Sequence, residues 1–170
     1  MQNIIWAPWR GTYVTGKKKS DTCVFCDKFK SADDKANYLL FRGNLNYVIM
    51  NRYPYNNGHL MVVPIRHTAD ILELGSDEFE EMGVLMRQSV KIIKETMNAE
   101  GFNVGYNLGS AAGAGIAAHL HMHVVPRWNG DTNFMPVISE TKVISEHMAA
   151  TYSKLAEAFG RLKQELIKNN

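Results

Sequence analysis

Three imidazoles fall within five residues, His119-Leu120-His121-Met122-His123, half of the six histidines in the chain. Alternate residues of a strand share a face, so an extended segment here projects all three rings to one side. Leu120, Met122 and Val124 then point to a core. Three polar rings on one strand face each need a partner if they are covered. A neutral imidazole nitrogen near physiological pH is both nucleophile and base. The plain alternatives are a solvated strand face or a surface metal patch.

The stretch before the histidines suggests what they act on. Gly109-Ser110-Ala111-Ala112-Gly113-Ala114-Gly115 carries no bulky side chain, so its backbone amides can come close to an anion. Alone such a loop is usually a flexible turn. Next to a row of histidines it points to a phosphate held against a nucleophilic nitrogen. Cys23-Val24-Phe25-Cys26 has the spacing of metal ligands, but a structural zinc wants four tetrahedral donors. The competing readings are a redox dithiol or two unremarkable cysteines. No βαβ pattern surrounds the pair, which disfavours thioredoxin-like chemistry.

The elements that must position these groups follow from the pattern. Residues 1–37 read as irregular. Tyr38–Arg42 and Tyr47–Asn51 read as paired strands around Gly43-Asn44, and His59–Val63 as a third after the turn Asn56-Asn57-Gly58. Ser76 is a plausible N-cap for a helix whose stripe is Phe79, Met82, Met86, Val90, Ile93 and Met97. That stripe is helix core or a subunit interface rather than a ligand site. Phe102–Leu108 and His119–Pro126 are further strands. Met148, Tyr152, Leu155, Phe159, Leu162 and Leu166 mark a C-terminal helix over 145–168. Hairpins, a helix, more strands and a helix predict an α+β fold with a mainly antiparallel five-stranded sheet and two main helices.

The 170 residues, 45% hydrophobic and 21% charged, predict one globular domain over 1–170 and exclude a disordered or fibrous chain. Apolar runs are only a few residues long, so no membrane span is expected. Residues 1–10 lack a basic and then apolar leader. A net charge of +2, with one short run at Lys17–Lys19, gives no case for nucleic acid or anionic lipid. Two cysteines make no secreted disulfide framework, which fits a reduced, cytoplasmic protein.

His119-x-His121-x-His123-Val124-Val125 resembles the signature of the histidine triad (HIT) superfamily of nucleotide hydrolases and transferases. Asn51-Arg52-x-Pro54 with Gly58-His59-Leu60-Met61-Val62-Val63-Pro64 resembles the first hairpin of its fragile-histidine-triad branch. Ile5-Trp6-Ala7-Pro8-Trp9-Arg10, Asn107-x-Gly109 and Pro126-Arg127-Trp128-x-Gly130-Asp131-x-Asn133-Phe134-Met135 look most like the bacterial diadenosine tetraphosphate phosphorylase and hydrolase group. The resemblance runs from about Trp6 to Ile144.

It implies a HIT-like fold and cleavage of dinucleoside polyphosphates at the α-phosphate. His121 would attack phosphorus and form a covalent nucleotidyl-histidine, its other ring nitrogen fixed by a backbone carbonyl. His123 would contact the phosphate oxygens, with His119 completing the catalytic triad. Asn51 would bind the ribose hydroxyls, His59 would support from behind, and Asn107 stands where relatives carry a phosphate-contacting glutamine. Relatives have Gly-Gln-Ser/Thr before the triad. Gly113-Ala114-Gly115-Ile116-Ala117-Ala118 has no hydroxyl or amide side chain, which leaves phosphate to backbone amides, with Gly113, Gly115 and Ser110 the candidates. The family also implies that His67 and His119 complete a Cys23/Cys26 zinc site, and a homodimer. The partner is an adenine nucleotide or dinucleoside polyphosphate. The alternatives are a nucleotide-binding regulator with slow hydrolysis and a nucleoside phosphoramidate hydrolase.

Overall fold

The structure is a computed structural model and describes residues 22–132, 144 and 146–168, the side chains of 163 and 165–168 excepted. The Trp6-Ala7-Pro8-Trp9 motif, Lys17–Lys19, Asn133-Phe134-Met135 and the Leu166 side chain lie outside the described residues. The elements run α1 (Val24–Lys30), α2 (Asp34–Asn37), β1 (Leu39–Arg42), β2 (Asn46–Met50), β3 (Leu60–Pro64), α3 (Ser76–Met97), β4 (Gly101–Tyr106), β5 (Met122–Arg127) and α4 (Met148–Lys168). Short 3-10 turns at Ile71–Glu73 and Ser110–Ala112 interrupt the connections.

The five strands form one antiparallel sheet in the order β1-β2-β3-β5-β4. The α+β architecture and the two long helices are as the sequence predicts. Every residue of β2 and β3 is buried, because both faces of the sheet centre are covered. Period-2 alternation sorts their side chains between the two faces. Val48, Met50, Leu60, Val62, Met122 and Val124 join the core under α3 and α4. Tyr47, Ile49, Met61 and Val63 pack with Phe25 of α1 on the opposite face. His123 pairs with Met61 across the β3–β5 ladder, so the histidines share the α1 face.

Four local expectations need correction. The segment 1–37 is not irregular throughout, since Cys23 opens α1 and α2 follows. Only seven residues long, α1 is too short to stand alone. Arg42 pins its C-terminal end, donating to Phe29 O at 2.7 Å and Ser31 O at 2.8 Å and pairing with Asp34. The second correction is the cap of α3. Gly75 occupies it, and the Glu78 carboxylate accepts the Gly75 N–H at 2.8 Å.

Third, the buried line of α3 is Met82, Leu85, Ser89, Ile92 and Ile93. Phe79 is exposed, and Met86 and Val90 sit half-buried on the flank. Ser89 escapes a hydrophobicity pattern, yet it buries its hydroxyl by donating to Leu85 O at 2.7 Å. Last, the fifth strand is Met122–Arg127, so His119 and His121 precede the ladder rather than lying in it. Leu120 N–H, donated to Thr68 O at 2.7 Å, ties that lead-in to the loop after β3.

Candidate active site and metal centre

Backbone groups decide which nitrogen of each histidine carries a proton, because a carbonyl can only accept and an amide N–H can only donate. His121 is 7% exposed, and its Nδ1 lies 2.8 Å from His119 O. Nδ1 therefore carries the proton and Nε2 keeps its lone pair. Burial pushes the His121 pKa below the usual value, against the opposing pull of that carbonyl. The neutral form, the one able to attack phosphorus, is favoured.

The same logic runs through a second chain of contacts. Tyr55 N–H donates to His59 Nδ1 at 3.0 Å, so the proton of His59 sits on Nε2. His59 Nε2 lies 2.9 Å from His123 Nδ1, which must then accept. Neutral His123 is left with its proton on Nε2, and that nitrogen is 3.3 Å from the Asn107 carboxamide. The atom placed there is Asn107 Nδ2; two N–H groups cannot bond each other, so a protonated His123 Nε2 requires the carboxamide to turn over and present its oxygen. Rings reinforce the chain: Tyr55 packs on His59 with centroids 4.7 Å apart, and His121 and His123 lie edge to face at 4.9 Å. One imidazole with a lone pair thus stands beside another that can donate.

His119 belongs to a different cluster. It is 1% exposed, and its Nε2–H donates to Pro64 O at 2.9 Å. Its Nδ1 then faces Cys23 Sγ at 3.2 Å, Cys26 Sγ at 3.6 Å and His67 Nδ1 at 3.2 Å. The donor atoms of Cys23, Cys26, His67 and His119 all lie within 4.8 Å of one another. Two thiols and two imidazoles converging in this way fit a tetrahedral zinc, and the Pro64 carbonyl sets the tautomer that a metal needs. Both ring nitrogens of His119 have their contacts outside the His121–His123 pair.

The other candidate residues divide. Asn51 sits at the end of β2, accepting Tyr53 N–H at 2.9 Å and offering Nδ2 at 3.4 Å from His59 Nδ1. A cleft of about 380 Å³ opens beside Asn51 and His59, lined also by Met50, Pro54, Asn57 and Met148. The Gly/Ala loop is less bare than the sequence suggests. Gly113 N–H is taken by Ser110 O at 3.0 Å and Ala114 N–H by Gly109 O at 3.4 Å. Gly109 and Gly113 have φ of 77° and 84°, a left-handed backbone that explains the glycines by conformation. Ser110 opens the 3-10 turn there and, like Gly115, is exposed.

Asp131 carries no signal in the sequence beyond its place after Trp128 and Gly130. It accepts from Arg127 at 2.6 and 2.8 Å and from Asn56 Nδ2 at 2.7 Å, tying the end of β5 to the turn before His59. The Arg127 guanidinium holds its carboxyl well below the usual carboxylate range, with help from Trp128 N–H and the Thr132 hydroxyl. Phe25 and Tyr55 were also missed. Their only sequence signal is position, one between the two cysteines and one in the turn before His59.

The HIT domain family model matches residues 34–130 of this chain. The chain belongs to the HIT domain family. Among curated HIT relatives, it is 37% identical over 165 residues to the AP-4-A phosphorylase of Mycobacterium tuberculosis, covering 92% of this chain and 84% of that protein. Of solved HIT-fold structures, a Zn-bound histidine triad family protein from Mycobacterium smegmatis superimposes with a TM-score of 0.66 at 23% identity, covering 85% of this chain and 97% of the other. The diadenosine triphosphate hydrolase of Plasmodium falciparum has a TM-score of 0.61 at 16% identity over 87% of this chain and 88% of the other. At such identities these two structures speak to the fold alone. The matched HIT residues begin after α1, so Cys23, Phe25 and Cys26 lie ahead of them. Among the described residues no helix is long and apolar enough to cross a membrane.

Proposed function

We propose that this HIT protein is a nucleotidyl transferase that cleaves a dinucleoside polyphosphate such as diadenosine tetraphosphate at the α-phosphate, with His121 as nucleophile. The observation that carries the reading is the His121 tautomer: Nδ1–H is held on His119 O and Nε2 is left with its lone pair. Attack by Nε2 forms the P–N bond of a nucleotidyl-histidine while the bridging P–O bond breaks, and the electron pair leaves with the departing nucleotide. His123 Nε2–H stands one ring away to stabilise the oxygens where charge builds. Asn107, in contact with His123 Nε2, stands beside the same anion, Asn51 serves the ribose and the cleft beside it gives room for a nucleoside. Similarity to the AP-4-A phosphorylase supports the substrate class and the choice of phosphate as second acceptor.

Cys23, Cys26, His67 and His119 would hold a zinc ion, which supplies a structural cross-link between α1 and the lead-in to the histidines. His119 is then a ligand rather than a catalytic group, since both its nitrogens are spoken for. We read the chain as one domain, working in the cytoplasm, where both unpaired thiols fit a reducing compartment. A homodimer is supported by the exposed flank of α3 at Phe79 and Val84 and by Val104 on edge strand β4.

The test is incubation with diadenosine tetraphosphate with and without labelled inorganic phosphate, followed by chromatography. ADP that carries the label, together with ATP, is the expected result. AMP and ATP at a rate indifferent to phosphate decide for hydrolysis. No turnover under either condition removes the enzyme reading and favours a nucleotide-binding regulator.

A further inference from the structure

Phe25 is the residue between the two cysteines, and its ring does not face the metal ligands alone. It is 2% exposed, and its centroid lies 5.0 Å from that of His121 and 5.5 Å from that of His119. Its carbonyl accepts the Tyr47 hydroxyl at 3.0 Å, which fixes the main chain of α1 against β2. The torsion that swings an imidazole about its Cβ–Cγ bond is soft and roughly two-fold. One hydrogen bond to His119 O leaves His121 able to rotate out of line, so a packed neighbour must hold the ring plane. Phe25 is that neighbour on the α1 side. Its own place depends on α1, a helix too short to persist alone, held by Arg42 at one end and by Cys23 and Cys26 at the other.

We propose that Phe25 is a positioning residue for His121. Its ring keeps Nδ1–H on His119 O and Nε2 toward the substrate, and through α1 it makes the nucleophile's geometry depend on the Cys23/Cys26/His67/His119 cluster. The inference rests on the reading of His121 as nucleophile and adds a residue ahead of the matched HIT segment to the machinery of the reaction. Metal loading and nucleotidyl transfer are thereby coupled through one side chain as well as through the His119 backbone.

The experiment uses the full chain with its metal loaded, comparing wild type with Phe25→Leu and Phe25→Ala. Leucine fills most of the space without a flat face, and alanine empties it. Metal per chain, KM and kcat are measured, along with the nitrogen-15 NMR signals of the His121 imidazole, which report its tautomer without any turnover. Expected for Phe25→Leu are unchanged metal content, KM within about threefold, kcat lower by about tenfold and a His121 signal showing mixed tautomers, with a larger kcat loss for alanine. Wild-type kcat with wild-type His121 signals overturns the proposal. So does a kcat loss that follows metal loss while those signals stay put. Should Phe25→Ala not fold, Phe25→Leu decides alone. Full activity in His121→Ala would defeat the nucleophile reading instead, and the NMR signals of the Phe25 variants would still decide whether the ring sets the tautomer.

Discussion

The carbonyl of His119 accepts the Nδ1–H of His121 at 2.8 Å, while the side chain of His119 turns the other way into a cluster with Cys23, Cys26 and His67. One residue thus spends its main chain on a neighbour and its ring on a different site. The three histidines of the motif are not equivalent. One faces the thiols, one keeps a lone pair and one donates.

His121→Ala is expected to reduce turnover more than tenfold and leave nucleotide affinity nearly unchanged. On the proposed mechanism the nucleophile would supply a covalent step and little ground-state binding. Steady-state kinetics beside calorimetric titration check this. Residual activity above about a tenth of wild type assigns the nucleophile to another group.

The purified protein should carry close to one zinc per chain, and Cys26→Ser should lower that content and the melting temperature together. Four donors within 4.8 Å of one another motivate the expectation. Elemental analysis finding no transition metal, with both thiols freely titratable in the native protein, would remove it.

Replacing His59 by leucine should lower kcat roughly 10- to 100-fold with little change in KM, since it strips the Nε2–H that fixes His123. The variant also removes the His59 Nδ1 acceptor of Tyr55 N–H, so a thermal melt is needed alongside the kinetics. An unchanged kcat in the folded variant means that His123 does not depend on this chain of hydrogen bonds.

Asp131→Asn should destabilise the protein by about 2 kcal/mol at neutral pH, because charge-assisted bonds from Arg127 and a bond from Asn56 converge on the carboxylate. The folded-state pKa is depressed, so this stability is fully present above the unfolded value near 4 and is lost progressively as pH falls from there through the much lower folded value. Denaturant melts of both proteins should therefore differ most at pH 7 and draw together as pH falls below about 4. A gap of the same size at pH 7 and pH 2 shows that shape, not charge, is what the asparagine spoils.

The sequence by itself determined the sheet and the two long helices, and it singled out the histidines and cysteines that the fold brings together. Strand alternation and helical spacing are short-range consequences of backbone geometry, and they are written into Tyr47–Met50, Leu60–Val63 and Tyr152–Leu162. Local competition blurred the edges. Glu78 reaching back to Gly75 displaced Ser76 from the cap, and Ser89 entered a buried line that hydrophobicity alone would deny it. The separate roles of His119 and His123 were beyond spacing rules because groups distant in the chain decide them. Pro64 O sets His119, His59 on another strand meets His123, and Phe25 reaches His121 from 96 positions away in sequence. A spacing rule can place three imidazoles on one face. Only the packed fold supplies the carbonyl or amide that tells each ring which nitrogen keeps its proton.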